Sequence, residues 1–177
     1  MKRLTFYLLC ICLGIALSFS AQAQGSNLTK NFGIGLQGAT PDFGGISLRY
    51  TGYAPVYLQA VGRCIVDGEN NDHMLGGGIS YAIFEHQSRW NVSRLYFTLE
   101  GGWLYQKQEE SAWQLELTES MTLGAGLAFG GELMFSLGGI PLGLNVEVGQ
   151  GFGREEIGTQ LKSLAGVYVG AGIHAYF

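Results

Sequence analysis

The sequence is poor in charged residues and in cysteine, and it has no long apolar run beyond its N-terminal region. Charged residues make up 14% of the 177 residues and hydrophobic residues 47%, a balance that excludes an intrinsically disordered chain. Three cysteines are too few for a small domain held by disulfides. After the first segment no apolar run reaches the roughly 18 residues of a transmembrane helix, which excludes a helical membrane bundle.

Glycine, in contrast, is abundant. The chain contains 29 glycines, far above ordinary usage, and they show no three-residue period, which excludes a collagen-like chain. Such a number of residues without side chains indicates a structural demand that recurs along the fold.

The first 23 residues have the features of a secretory signal peptide. Lys2 and Arg3 form a charged start, residues 4–19 are apolar, and 21–23 read Ala-Gln-Ala, a small-x-small cleavage site. The alternative is an uncleaved membrane anchor, but the apolar part is short for that role. We therefore predict a signal peptide over 1–23 and a single domain over 24–177.

The predicted mature chain is acidic. Loss of Lys2 and Arg3 changes the formal net charge from −4 to −6, because two positive charges are removed. This charge opposes nonspecific binding to nucleic acid, and we expect no nucleic-acid partner. Cys64 is then the one remaining cysteine, so no internal disulfide forms.

The body of the chain alternates with a period of two residues, which is typical of β-strands. Over 113–135 the odd positions are mostly apolar, whereas the even positions are polar or small. The same alternation recurs along the chain, separated by turn-forming residues. It predicts eight strands, near 32–39, 45–52, 55–66, 73–84, 93–107, 113–135, 140–152 and 164–177.

The composition of the two strand faces indicates which one meets water. The face opposite the apolar one is mostly glycine with isolated Arg and Glu. If this face pointed into a soluble barrel, the core would have few side chains to pack. If the apolar face meets lipid instead, the glycine-rich face fills a narrow lumen. We therefore predict an all-β fold, an eight-stranded antiparallel up-and-down transmembrane β-barrel, whose closure leaves no unpaired strand edge in the membrane. A soluble barrel that binds an apolar ligand is a distant alternative.

The lipid-facing aromatic residues support this orientation, because they collect at two levels, as membrane interfaces favour. If the N-terminus is periplasmic, the inner rim receives Tyr50, Tyr81, Phe135 and Phe177. The outer rim receives Trp103, Tyr105, Trp113 and Phe152. We find no charged residue on the lipid face between these levels; Glu119, on the same face, is expected to project beyond the outer one.

The chain resembles the small eight-stranded outer-membrane barrels of Gram-negative bacteria, the OmpA/OmpX-type group. The resemblance rests on the signal peptide, the eight alternating strands and the terminal phenylalanine. In that group the terminal Phe177 and the alternate positions Val169, Ala171 and Ile173 correspond to the signal read by the outer-membrane assembly machinery. Ala175 departs from the pattern, because an aromatic residue is common there. The resemblance implies an outer-membrane location and contact with lipid and lipopolysaccharide.

Five charged residues point inward in the predicted register. We expect these residues to form a charge network in the lumen: Arg49, Arg63, Glu100, Glu132 and Glu147. Arg94 joins them near the periplasmic end. Charges inside a narrow barrel are costly unless paired, and eight strands leave room for little more than side chains. A structural network is therefore favoured over an ion path.

No motif for catalysis or metal binding stands out. His73, His86 and His174 belong to no convincing Ser-His-acid arrangement, and we expect His174 to be packed and hydrogen-bonded. The acidic stretch 67–72 lacks the ligand order of an EF-hand, which favours a solvated loop or weak divalent bridging to lipopolysaccharide. We expect no metal site and no cofactor.

These features predict a noncatalytic outer-membrane barrel with an envelope-structural or surface-interaction role and a lumen plugged by side chains. Two alternatives remain: a membrane-embedded lipid-modifying enzyme, and a narrow pore for small solutes. The sequence identifies no surface ligand.

Overall fold

The computed structural model of the protein describes residue 28 and residues 30–40, 42–67, 70–88, 90–109 and 117–177. The predicted signal peptide over 1–23 and Trp113 of the outer aromatic level lie outside these residues. Within the described part of the chain, no helix is long and apolar enough to cross a membrane.

The described chain folds into eight β-strands. Their bounds are β1 Phe32–Ala39, β2 Phe43–Tyr53, β3 Val56–Asp67, β4 Asn70–Gln87, β5 Asn91–Glu109, β6 Leu117–Leu137, β7 Ile140–Ile157 and β8 Gln160–Tyr176. Every strand pairs antiparallel with its neighbours in sequence, and β8 pairs with β1 to close the ring. The predicted all-β, eight-stranded, up-and-down barrel is confirmed as a fold.

The strands are staggered around the ring. From Gly33, the pairing leads through Arg49 and each following strand to Gly166 on β8. The residue of β8 that pairs directly with Gly33 is Tyr176, ten positions from Gly166. A stagger of this kind requires strands tilted against the barrel axis, typically by about 35–45°.

The two ends of the barrel differ. β1 begins and β8 ends at one end of the barrel, which we call the terminal end; β2, β4 and β6 also end there. β1, β3, β5 and β7 end at the opposite end, which we call the far end. Gly138 and Gly139 have φ of 61° and 88°, a left-handed backbone that suits glycine in the tight turn between β6 and β7.

Alternating side chains face opposite sides of the wall. On β6, Leu127 is 60% exposed, whereas its neighbour Ala128 is 6% exposed. A bulge between Ala82 and Phe84 interrupts this phase on β4. It leaves Phe84 outside and turns the next residue, Glu85, towards the lumen.

Several strand boundaries differ from the prediction. β2 begins at Phe43 rather than 45, β4 and β5 are longer at both ends, and β7 and β8 extend to Ile157 and Gln160 rather than 152 and 164. In the added part of β7 and β8 the sequence no longer alternates, yet the two strands remain paired. They do so because Gly158, with φ of 57°, closes a tight hairpin between them. Backbone hydrogen bonds, rather than apolar patterning, therefore set these ends.

Candidate functional site

Polar side chains fill the lumen towards the terminal end, and all eight strands contribute to them. We call this set the lumen network: Gln37, Arg49, Tyr57, Glu85, Arg94, Tyr96, Glu100, Glu132, Asn145, Glu147, Tyr168 and Tyr176. Because inward positions alternate along every strand, short segments of eight strands bring these residues to one place.

Arg49 lies at the centre of the lumen network. Its Nη1 atom is 3.0 Å from Oε1 of Glu132, and its Nη2 atom donates to the hydroxyl of Tyr96 over 3.0 Å. Nη2 is also 3.6 Å from Oε1 of Glu147. The side chains of Arg49 and Glu132 are each 2% exposed, so the loss of hydration is offset only by these direct partners.

Glu132 joins Arg49 to a second arginine. Its other carboxylate oxygen, Oε2, is 3.1 Å from Nη1 of Arg94. The Tyr176 hydroxyl donates to Oε1, the oxygen that also contacts Arg49. Arg94 Nε in turn lies 2.7 Å from Glu85, which accepts a 2.6 Å hydrogen bond from Tyr57. The chain of contacts thus crosses the barrel from β8 through β6 and β5 to β3 and β4.

Glu147 collects hydrogen bonds on the other side. It accepts them from Tyr96 over 2.6 Å, from Gln37 over 3.2 Å and from Tyr168 over 3.3 Å. The Tyr168 hydroxyl also contacts Glu100. Tyr168 has one hydroxyl proton, so it can donate to only one of these two carboxylates at a time.

The five residues of the predicted charge network occupy two places. Arg49, Glu132 and Glu147 are in direct contact, and Glu100 joins them through a tyrosine hydroxyl rather than an arginine. Arg63 lies apart from the other four, at the far end of the barrel.

Arg63 belongs to a separate cluster that we call the rim cluster. Its guanidinium is 2.9 Å from Asp72 and 3.3 Å from Asp42, and Gln106 donates to Asp42 over 3.0 Å. Asp42 belongs to the connection between β1 and β2, so this connection is held against β3, β4 and β5. Phe43 follows it, and its ring would lie 3.0 Å from a β-carbon at 102 and 3.6 Å from one at 124.

His174 forms a polar pair within the lumen. Its Nε2 atom is 2.9 Å from Oγ of Ser47, and both residues are fully buried. The ring of His174 lies 6.2 Å from that of Tyr176. Within the described residues, Nδ1 of His174 has no hydrogen-bond partner, so no carboxylate orients the imidazole as a catalytic triad requires.

The predicted aromatic levels lie on the outer surface, at the two ends of the wall. Tyr50, Tyr81, Phe135 and Phe177 lie near the terminal end, while Trp103, Tyr105 and Phe152 lie towards the far end. Trp103 and Tyr105 are stacked with ring centroids 6.3 Å apart.

Glu119 faces outward beyond the outer aromatic level. Tyr105 pairs with Met121, and the next outward-facing pair towards the far end is Lys107 with Glu119. Their charged groups are 3.6 Å apart. The charge of Glu119 is therefore paired and lies one step outside the aromatic residues.

The residues of the predicted assembly signal line one side of β8. Val169 and Ile173 are exposed, with Ala171 between them on the same face. The backbone N–H of Phe177 donates to the carbonyl of Phe32 over 2.8 Å, which attaches the end of the chain to the start of β1.

The charge network predicted from the sequence did not include the tyrosines. Tyr96, Tyr168 and Tyr176 stand on the inward phase of their strands, so the period of two could have indicated them. Glu85 could not be found in that way, because a bulge that the alternation does not reveal reverses the phase of β4 just before it.

Among the described residues, no group of three or more His, Cys, Asp or Glu residues could hold a metal ion. No protein-family model matches the chain, and no curated protein is similar to it in sequence.

Proposed function

We propose that this protein is an integral β-barrel of the outer membrane of a Gram-negative bacterium, with an envelope-structural or surface-interaction role and a plugged lumen. The observation that carries the proposal is that apolar side chains face outward and charged side chains face inward, the reverse of a water-soluble protein. Large apolar side chains are exposed around the outside, among them Leu36, Leu75, Leu99, Leu127 and Val146. Charged groups such as Arg49 and Glu132 are buried inside.

This distribution is unfavourable in water and favourable in lipid. A soluble protein rarely exposes a contiguous apolar surface of this extent, whereas the bilayer stabilises it. Pairing of β1 with β8 closes the ring, so no strand edge is left unpaired in hydrocarbon over the paired length of these two strands. Strands β4 to β8 have 17 to 21 residues, more than the roughly 9–11 that a tilted strand needs to cross the membrane.

The lumen network supports a structural role over a pore. Ion pairs and hydrogen bonds link side chains from all eight strands across the lumen, and the Arg49–Glu132 pair at the centre is almost inaccessible. An eight-stranded barrel is just wide enough for such side chains. An open path for solutes would require several of these buried contacts to break together.

The geometry gives less support to a lipid-modifying enzyme. The histidine and serine within hydrogen-bonding distance of each other, His174 and Ser47, face the lumen and are fully buried. A nucleophile must reach its substrate, and a substrate in the membrane would approach from the opposite side of the wall.

The proposed partners follow from the location. The outer surface would contact lipid and lipopolysaccharide, and β8 with Phe177 would be recognised by the outer-membrane assembly machinery. The terminal end would face the periplasm and the far end the cell exterior.

Fractionation tests this proposal. The full chain would be expressed in a Gram-negative host, and membranes would be separated on a density gradient and run on gels with and without boiling. We expect the protein in the outer-membrane fraction, with a mobility that changes on boiling. A soluble periplasmic product with unchanged mobility would contradict the proposal, and large steady conductance in planar bilayers would favour the pore.

A further inference from the structure

The half of the lumen towards the far end contains a cavity of about 320 Å³. It lies between the lumen network and the rim cluster, and all eight strands line it. Its volume is at the lower end of the range for small-molecule sites in proteins. None of the roles proposed above uses this space.

The cavity exists because glycine occupies the inward positions around it. Gly76, Gly102, Gly124 and Gly153 pair in succession across β4 to β7, where larger side chains would fill the lumen. The other lining groups are largely apolar, including Val61, Met74, Phe43 and Leu164. The walls therefore suit an aliphatic group rather than a strongly hydrated one.

One polar side chain at the cavity, Gln59, has no hydrogen-bond partner among the described residues. Gln59 lies on the inward face of β3, lines the cavity and is 8% exposed. Neither Nε2 nor Oε1 of Gln59 forms a hydrogen bond to any described residue. An unpaired buried amide is unfavourable and uncommon in native proteins, so a group in the cavity that both donates and accepts would satisfy it.

The near absence of charged groups around the cavity favours an uncharged ligand. No Lys, Arg or His is among the described residues that line it, and its one ionisable acid is Glu100, which contacts Tyr168. An anionic head group would find no counter-charge there and would lie near a carboxylate.

On one side of this cavity the pairing between strands stops short of the far end. The pairing of β1 with β8 ends at Ala39 and Gly170, and two hydrogen bonds between Thr40 and Val169 extend it by one position. β8 begins at Gln160, so its residues 160–168 have no strand of the described chain beside them on that side. The pairing of β2 with β3 likewise ends at Gly62, although β3 continues.

The resulting gap lies between the unpaired edges of β8 and β3, next to the connection between β1 and β2. Leu164 and Val167 of β8 line the cavity next to it, and Val167 is also strongly exposed on the outer surface. An apolar chain could therefore extend from the cavity to the outside without crossing a polar barrier.

We propose that the cavity binds a small uncharged amphiphile, with its hydrogen-bonding head on the amide of Gln59 and its aliphatic tail against the glycine-lined wall. A short-chain aliphatic alcohol represents this chemistry. The site is independent of the membrane location, so its failure would leave the function proposed above intact.

Calorimetric titration of 1-octanol into the folded mature chain, held in amphipol to avoid micelles, tests this proposal. We expect saturable binding of one molecule. Gly166→Leu should weaken it by about tenfold or more, because a β-carbon at 166 meets open space and the added side chain occupies the cavity. Gly38→Leu is the matched control, because its β-carbon also meets open space but lies on the outer face; it should leave the affinity within about twofold.

The head group is tested separately. Gln59→Leu should weaken octanol binding by about tenfold, as expected for a lost hydrogen bond to a buried amide, whereas Gln150→Leu on the outer face should not. Octanoate should bind at least about tenfold more weakly than octanol to the unmodified protein. If Gly166→Leu fails to fold, as judged by gel mobility before and after boiling, Gly126→Leu replaces it.

Three results with octanol would overturn the proposal. They are absence of octanol binding to the unmodified protein, equal binding by the cavity-filling variant and its control, and unchanged binding in Gln59→Leu. In the last case water rather than a ligand head satisfies the amide. Tighter binding of octanoate than of octanol would also refute it.

Discussion

Tyr96 on β5 pairs directly with Gly130 on β6, and the tyrosine ring occupies the space that a side chain at 130 would need. A β-carbon there would lie 2.6 Å from Cζ of Tyr96 and 2.9 Å from Cγ of Glu147. This relationship explains part of the abundance of glycine. In a narrow barrel, each large polar side chain of the lumen requires a neighbour with none.

Gly130→Ala should therefore destabilise the barrel. The methyl group forces Tyr96 away from its hydrogen bonds to Arg49 and Glu147, at an expected cost of about 1–3 kcal/mol. The adjacent Gly131→Ala is the control, because its β-carbon meets nothing closer than 3.5 Å. Urea unfolding of the reconstituted proteins measures both, and equal stability of the two variants would refute this explanation.

Removal of one member of the central ion pair should be costly. Arg49→Met leaves Glu132 and Glu147 buried without their shared cation, which is expected to cost about 3–5 kcal/mol. The double variant Arg49→Met/Glu132→Gln should recover part of this loss, since fewer unpaired charges remain. A double-mutant cycle in urea tests the coupling, and additive losses would show that the two residues act independently.

The rim cluster should contribute much less. Arg63 and Asp72 are partly exposed, and the side chain of Asp42 is more than half exposed, so solvent screens their attraction. Arg63→Gln should change the free energy of unfolding by less than about 1 kcal/mol. A loss comparable to that of Arg49→Met would mean that the two clusters form one cooperative unit.

A charged side chain on the outer face should destabilise the barrel only if that face contacts lipid. Leu127→Arg places a charge within the exposed apolar surface, and a cost of about 2–4 kcal/mol is expected near the middle of a bilayer. Glu119→Arg, one step beyond the aromatic level, should cost less, although it also breaks the pair with Lys107. Refolding into lipid vesicles compares them, and a neutral Leu127→Arg would contradict the assigned orientation.

The period of two was sufficient to predict the strand count, the antiparallel order and the faces, because a barrel wall imposes that period on nearly every residue. The same phase placed Arg49, Glu132 and Glu147 inward. It could not show which inward groups touch, because contacts across the lumen depend on the stagger of the ring. Arg63 and Glu132 share a face in the sequence, yet the stagger separates them.

Local departures from the period were also hidden from the sequence. The bulge in β4 brings Glu85 to Arg94, and the hairpin at Gly158 extends β7 and β8 beyond their alternating segments. The cavity at Gln59 was not foreseen for a similar reason. Glycine at an inward position predicts only the absence of a side chain, and neighbouring strands determine whether another side chain fills the space.

The central claim is that the apolar face of the barrel contacts lipid. A single fluorophore on Leu127→Cys, in a mature chain carrying Cys64→Ser so that no other thiol reacts, tests it most directly after reconstitution into vesicles. The account predicts strong quenching by lipids that carry a quencher in their acyl chains and little quenching by a water-soluble quencher. The reverse pattern would contradict it, and the barrel would then be a water-soluble one.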